Sequence, residues 1–130
     1  MKMIVLAEDD TDDQDMVREV VELINTEVKL KIFDDGESLL ASMRELPDDL
    51  RPHLIVLDQN MPKLKGSETI GRLKKMEGFE HVPVVIYTTY HDQNFADTCK
   101  RMNVELFQKP DTFEDFSKMI QGLMDRYVDN

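Results

Sequence analysis

Residues 54–62, Leu54-Ile55-Val56-Leu57-Asp58-Gln59-Asn60-Met61-Pro62, place an uninterrupted apolar run directly before an acid, and Pro62 stops the strand from continuing. A run without polar alternation belongs to a strand covered on both faces, as in a parallel sheet flanked by helices. The same arrangement recurs along the chain: Met3 to Ala7 runs into Glu8-Asp9, Pro83 to Thr88 ends on a hydroxyl, and Glu105 to Gln108 runs into Lys109. In such sheets, ligands bind in the crevice at the carboxyl ends of the strands. Acids, a hydroxyl and a cation are therefore directed to one mouth.

Strand-like runs alternate with helical patterns along the whole chain, which reads as a βαβ series. The expected strands are Met3 to Ala7, Val28 to Phe33, His53 to Leu57, Pro83 to Thr88 and Glu105 to Gln108. Between them, apolar residues fall at three- and four-residue spacing: Val17, Val20, Val21, Ile24; Leu39, Leu40, Met43, Leu46; Ile70, Leu73, Met76. Two further stripes follow, Phe95, Cys99, Met102 and then Phe113, Phe116, Ile120, Leu123, Tyr127. In the second strand Val28, Leu30 and Ile32 alternate with Lys29 and Lys31, and lysine protects an exposed edge from pairing. With Glu105 to Gln108 short and mixed, the fifth strand is the other edge. The expected fold is an α/β doubly wound (βα)5 sheet of flavodoxin-like order 2-1-3-4-5.

At 130 residues the chain fits one domain, and a single domain, 1–130, with no output domain after the fifth helix is expected. The single cysteine, Cys99, is expected to pack in the core and is compatible with a reducing compartment. No stretch is long and apolar enough for a membrane span or a secretory leader, so a soluble cytoplasmic protein is expected. A net charge of −11 repels nucleic-acid phosphates and anionic lipid. Part of the acidity, Asp10, Asp12, Asp13 and Asp15, reads as a solvated turn and helix start. That reading does not cover Glu8 and Asp9, which directly follow a buried strand.

Glu8, Asp9 and Asp58 drawn together would repel unless a cation intervened, and Mg2+ suits an all-oxygen site of few protein ligands. Zinc is disfavoured because Cys99, His53, His81 and His91 lack ligand-like spacing. A carboxylate can attack a phosphoryl group when the charge on the equatorial oxygens is neutralised, and Asp58 is the best placed nucleophile. The turn after it frees backbone carbonyls to face a metal, with Asn60 the candidate ligand. Lys109 would supply a point charge to one phosphate oxygen and Thr88 a hydroxyl donor to another.

These residues resemble the receiver domain of two-component response regulators over essentially the whole chain. The resemblance rests on Ala7-Glu8-Asp9-Asp10, on 54–62 with Gly66 eight residues beyond Asp58, on Pro83 to Thr88, and on Lys109-Pro110. It implies a phosphoprotein whose Asp58 accepts phosphate from a histidine kinase or phosphotransfer protein, with Mg2+ held by Asp9, Asp58 and the Asn60 carbonyl, and Glu8 as the second acid of the pair. It implies that Thr88 and Lys109 sense the phosphate and that Lys109-Pro110 is often cis. It also implies signalling by a protein partner that reads the fourth and fifth helices and fifth strand, with catalysis limited to the domain's own phosphorylation and dephosphorylation. Family members often carry an aromatic ring three residues before the lysine; here that residue is Leu106, and Phe107 points to the opposite face. The switching motion is therefore assigned to Thr89, Tyr90, His91 and the start of the fourth helix.

Other classes make distinguishable demands. A small Mg2+-dependent aspartyl-phosphate phosphatase would need a second acid where Asn60 stands and a cap insertion. A receiver-like module that is never phosphorylated would not need the acids, Thr88 and Lys109 together. A nucleotide- or flavin-binding protein would need a glycine-rich cradle where the first loop is acidic.

Overall fold

The computed structural model describes residues 2–25, 27–89 and 92–129. It contains β1 (Met3–Ala7), α1 (Thr11–Ile24), β2 (Lys29–Phe33), α2 (Gly36–Arg44), β3 (Leu54–Asp58), α3 (Gly66–Leu73), β4 (Val84–Thr88), α4 (Gln93–Arg101), β5 (Glu105–Gln108) and α5 (Phe113–Tyr127). The strands are parallel in the order β2-β1-β3-β4-β5, the order expected from the lysine-bearing edge.

The two-residue alternation of a strand divides the interior into two cores. Val5, Ala7, Ile55, Leu57 and Ile86 face α2, α3 and α4, where Leu39, Leu40, Met43, Ile70, Leu73 and Cys99 pack. Ile4, Leu6, Leu54, Val56, Val85 and Tyr87 face α1 and α5, against Val17, Val20, Val21, Phe116, Ile120 and Leu123. Each fully buried aliphatic side chain contributes about 1.5–3 kcal/mol relative to exposure, so the continuous apolar runs fix the central position of β1, β3 and β4. Leu106 packs in the first core and Phe107 in the second, as alternation requires.

Element ends differ from the sequence reading in informative ways. The second and third apolar stripes run past their helices, because Leu46 and Met76 are held by three-residue backbone bonds to Met43 and Leu73. A tight terminal turn keeps the apolar spacing while ending the α-helix. β3 extends through Asp58 and begins at Leu54, leaving His53 on the flank, where its Nδ1 accepts from the Met3 N–H at 3.3 Å. β2 and β4 likewise begin one residue later than expected, at Lys29 and Val84. The Lys109-Pro110 bond is trans: no cis peptide occurs among the described residues, and a tertiary amide favours trans by about 0.5–1 kcal/mol unless its surroundings oppose it.

Candidate phosphoacceptor site

Strand register sets the heights of the groups at the mouth. Ala7 pairs with Leu57 and Asp58 with Tyr87, so Glu8, Asp58 and Tyr87 share one level, with Thr88 beside Gln108 and Lys109 just beyond. Asp10 begins α1 as its cap, its side chain accepting from the Asp13 N–H at 3.0 Å. The loop after Asp58 is pinned to α3: the Ser67 N–H donates to Gln59 Oε1 at 2.8 Å, and Gln59 Nε2 donates back to Ser67 Oγ at 3.1 Å. Gly66 lies so close beneath that a Cβ would stand 2.6 Å from the Asp58 carbonyl oxygen. Only glycine allows that approach without moving the acid.

A polar cleft of about 520 Å³ opens over the strand ends, lined by Glu8, Asp9, Asp13, Asp58, Asn60 and Lys109, with Asp10, Thr11, Asp12 and Thr89 at its rim. Glu8 is fully buried and Asp58 nearly so, whereas Asp9 is exposed. One carboxylate oxygen from each of Glu8, Asp9 and Asp58 falls within a 4.8 Å cluster. Burial first, and the Glu8 charge second, push the Asp58 carboxyl up to about 7. Burial also raises Asp9, aided by Glu8. An all-oxygen acidic cluster of this size fits a hard divalent cation, which would relieve both effects.

Lys109 holds the cluster together. Its Nζ lies 2.9 Å from Glu8 Oε1, 2.9 Å from Asp13 Oδ2 and 3.8 Å from Asp58 Oδ2. Burial alone would lower its pKa, but the bonds to Glu8 and Asp13 prevail and keep the ammonium charged. Asp13 is thus a site residue, in contrast to its reading as a solvated helix start; the fold brings the first turn of α1 against the β5 end, a contact invisible to local spacing. Asp10 and Asp15 do behave as that reading expects, the latter pairing with Arg18 on the surface.

Two buried hydroxyl groups back the site. Thr88 Oγ1 accepts from Asn60 Nδ2 at 3.2 Å, and the Asn60 N–H donates to Asp58 Oδ1 at 3.3 Å. Tyr87, which the sequence presents as part of an apolar run, donates its hydroxyl to Glu8 Oε1 at 2.5 Å. Burial and the Glu8 charge hold its phenol well above the usual tyrosine range, so it remains a donor. Of the expected site residues, the fold gathers Glu8, Asp9, Asp58, Asn60, Thr88 and Lys109. Thr89 lies at the rim, while Tyr90 and His91 fall outside the described residues.

A doubly wound sheet whose strand ends surround an acid with acids and a lysine defines a class of signalling switch. The chain belongs to the response regulator receiver domain family, which its residues 4–121 match. A curated relative, response regulator Rcp1 of Synechocystis sp., is 32% identical over 126 residues, covering 94% of this chain and 86% of the relative. The manganese-bound form of Rcp1 superposes with a TM-score of 0.85 at 30% identity, covering 98% of this chain and 95% of that one. The phosphorylated cyanobacterial phytochrome response regulator RcpA shares the fold, with a TM-score of 0.86 at 23% identity and coverage of 98% and 94%. Among the described residues, no helix is long and apolar enough to cross a membrane.

The carboxylate cluster yields a direct test. Asp9→Ala removes an exposed carboxylate without disturbing the core, and is expected to weaken Mg2+ binding at least about tenfold, whereas Glu8→Gln, whose Oε1 already serves Tyr87 and Lys109, should weaken it less. Equal affinity of wild type and Asp9→Ala in titration calorimetry would remove Asp9 from the site.

Proposed function

We propose that this chain is a response regulator that accepts a phosphoryl group on Asp58 from a histidine kinase or histidine phosphotransfer protein, with Mg2+, and signals by binding a protein partner. The observation that carries this reading is the position of Asp58: nearly buried at a strand end, within one cluster with Glu8 and Asp9, and facing the Lys109 ammonium at 3.8 Å. In the transfer, an Asp58 carboxylate oxygen bonds to phosphorus as the P–N bond to the donor imidazole breaks, and the imidazole keeps the electron pair and takes up a proton.

Asp9, Asp58 and the Asn60 carbonyl would hold the cation, with Glu8 acting through water. When bound, Mg2+ keeps Asp58 ionised and neutralises charge on the phosphoryl oxygens. The manganese of Rcp1 supports a divalent ion in such a site. Lys109 exchanges a carboxylate for a phosphoryl oxygen, and the Thr88 hydroxyl donates to another. The resulting shift in the loop after β4 and in α4 biases the surface read by the partner. The domain acts in the cytoplasm as a switch, turning over its own phosphoryl group rather than a separate substrate.

Intact mass after incubation with Mg2+ and a small phosphodonor is the decisive experiment. Wild type is expected to gain one phosphoryl group, and Asp58→Asn to lose at least about 99% of that gain, because a neutral amide is no nucleophile. Equal labelling of Asp58→Asn would place the acceptor elsewhere.

A further inference from the structure

We propose that Tyr87 is a positioning residue for Lys109: its hydroxyl remains as the donor to buried Glu8 when Lys109 leaves for the phosphoryl group. This inference rests on the reading of Asp58 as phosphoacceptor. Glu8 Oε1 has two donors in the resting protein, the Tyr87 hydroxyl at 2.5 Å and the Lys109 ammonium at 2.9 Å. The Glu8 side chain is fully buried, and its other oxygen accepts from the Asp10 N–H at 3.2 Å. A buried charge deprived of its partners is strongly destabilising. Departure of Lys109 therefore carries a penalty that grows as the remaining donors to Glu8 weaken.

Tyr87 is built to meet that penalty. It is completely buried on β4, and its ring stands edge-on to Phe116 of α5, with centroids 6.0 Å apart and an interplanar angle of 85°. The ring face also lies 4.8 Å from Lys109 Nζ. Phe116 fixes the ring on one side, so the hydroxyl keeps its aim at Glu8 while the ammonium swings away across the ring face. The same side chain touches the acid that stays and the cation that moves. A phenylalanine at 87 would retain the ring and the packing but lose the second donor.

The test compares binding of Mg2+ alone with binding of beryllofluoride in saturating Mg2+, for wild type, Tyr87→Phe, Lys109→Met and the double variant. Because Lys109 leaves Glu8 only when the phosphate mimic binds, Tyr87→Phe is expected to change Mg2+ affinity less than about threefold and to weaken beryllofluoride about tenfold. In the Lys109→Met background, Tyr87→Phe should add no further loss. Phe116→Leu, which loosens the ring but keeps the hydroxyl, should weaken beryllofluoride less than Tyr87→Phe does. Wild-type beryllofluoride affinity in Tyr87→Phe, a fully additive loss in the double variant, or an equal loss in Phe116→Leu would each overturn the role of Tyr87. Failure of the wild type itself to bind beryllofluoride would instead overturn the reading of Asp58.

Discussion

Lys109→Met is expected to retain the fold yet lose phosphorylation by about two orders of magnitude, and to be less stable than wild type by about 3 kcal/mol at neutral pH. A surface ion pair would predict neither effect, since such pairs contribute only about 0–1 kcal/mol. Lys109 is not on the surface: its side chain is 11% exposed and contacts Glu8 and Asp13 at 2.9 Å each. Methionine matches the stem and abolishes the charge, leaving Glu8 buried beside Asp58. The lost stability should return in part with Mg2+, which supplies positive charge to the same carboxylates. Denaturant melts with and without Mg2+, together with intact mass after phosphodonor treatment, check the prediction; unchanged labelling would reduce Lys109 to a structural ion pair.

Metal-free protein is expected to lose stability as pH rises from about 4 to about 7, by on the order of 2 kcal/mol attributable to Asp58. The sign follows from the direction of the shift. Burial and Glu8 raise the folded-state value of Asp58 to about 7, from 3.8 in the unfolded chain. The native protein therefore binds the proton more tightly, and the stabilisation is complete below the unfolded value and lost as pH climbs through the folded one. Asp9, raised for the same leading reason, adds in the same direction. Saturating Mg2+ prefers the ionised carboxylates and should flatten or invert this slope. Thermal melts of wild type and Asp58→Asn across this range, each with and without Mg2+, decide the matter: an identical metal-free slope in Asp58→Asn would show that other groups produce it.

The sheet was legible because its evidence is local. Lys29 and Lys31 mark the β2 edge within five residues, and the unbroken runs of β1, β3 and β4 declare two-sided burial without reference to any partner. The opposite facing of Leu106 and Phe107 follows from alternation alone. The strand-end residues were legible for a related reason: a parallel sheet sends every strand's carboxyl end to the same side, so position in the sequence implies position in space.

What escaped the sequence were contacts whose partners lie far along the chain. Asp13 and Lys109 are 96 residues apart, and only the approach of α1 to the end of β5 joins them. Tyr87 and Glu8 are 79 apart, and an apolar run conceals a tyrosine whose ring belongs to the core while its hydroxyl belongs to the site. The helix ends before Leu46 and Met76 are hidden in the sequence because a three-residue turn preserves the apolar rhythm of an α-helix. The trans Lys109-Pro110 bond was not readable either, since proline makes both isomers accessible and its surroundings select between them.

Glu8 and Lys109, which touch in the finished molecule, are separated by 101 residues of chain. Asp58 is synthesised before Lys109, so on the proposed function a nascent chain carries an acceptor that still lacks its cation. On the same proposal, proteolytic fragments lacking β5 are expected to accept no phosphoryl group. Because no contiguous segment holds these groups, the proposed acceptance of a phosphoryl group requires the entire sheet, and would report completion of the last strand rather than the presence of any peptide motif.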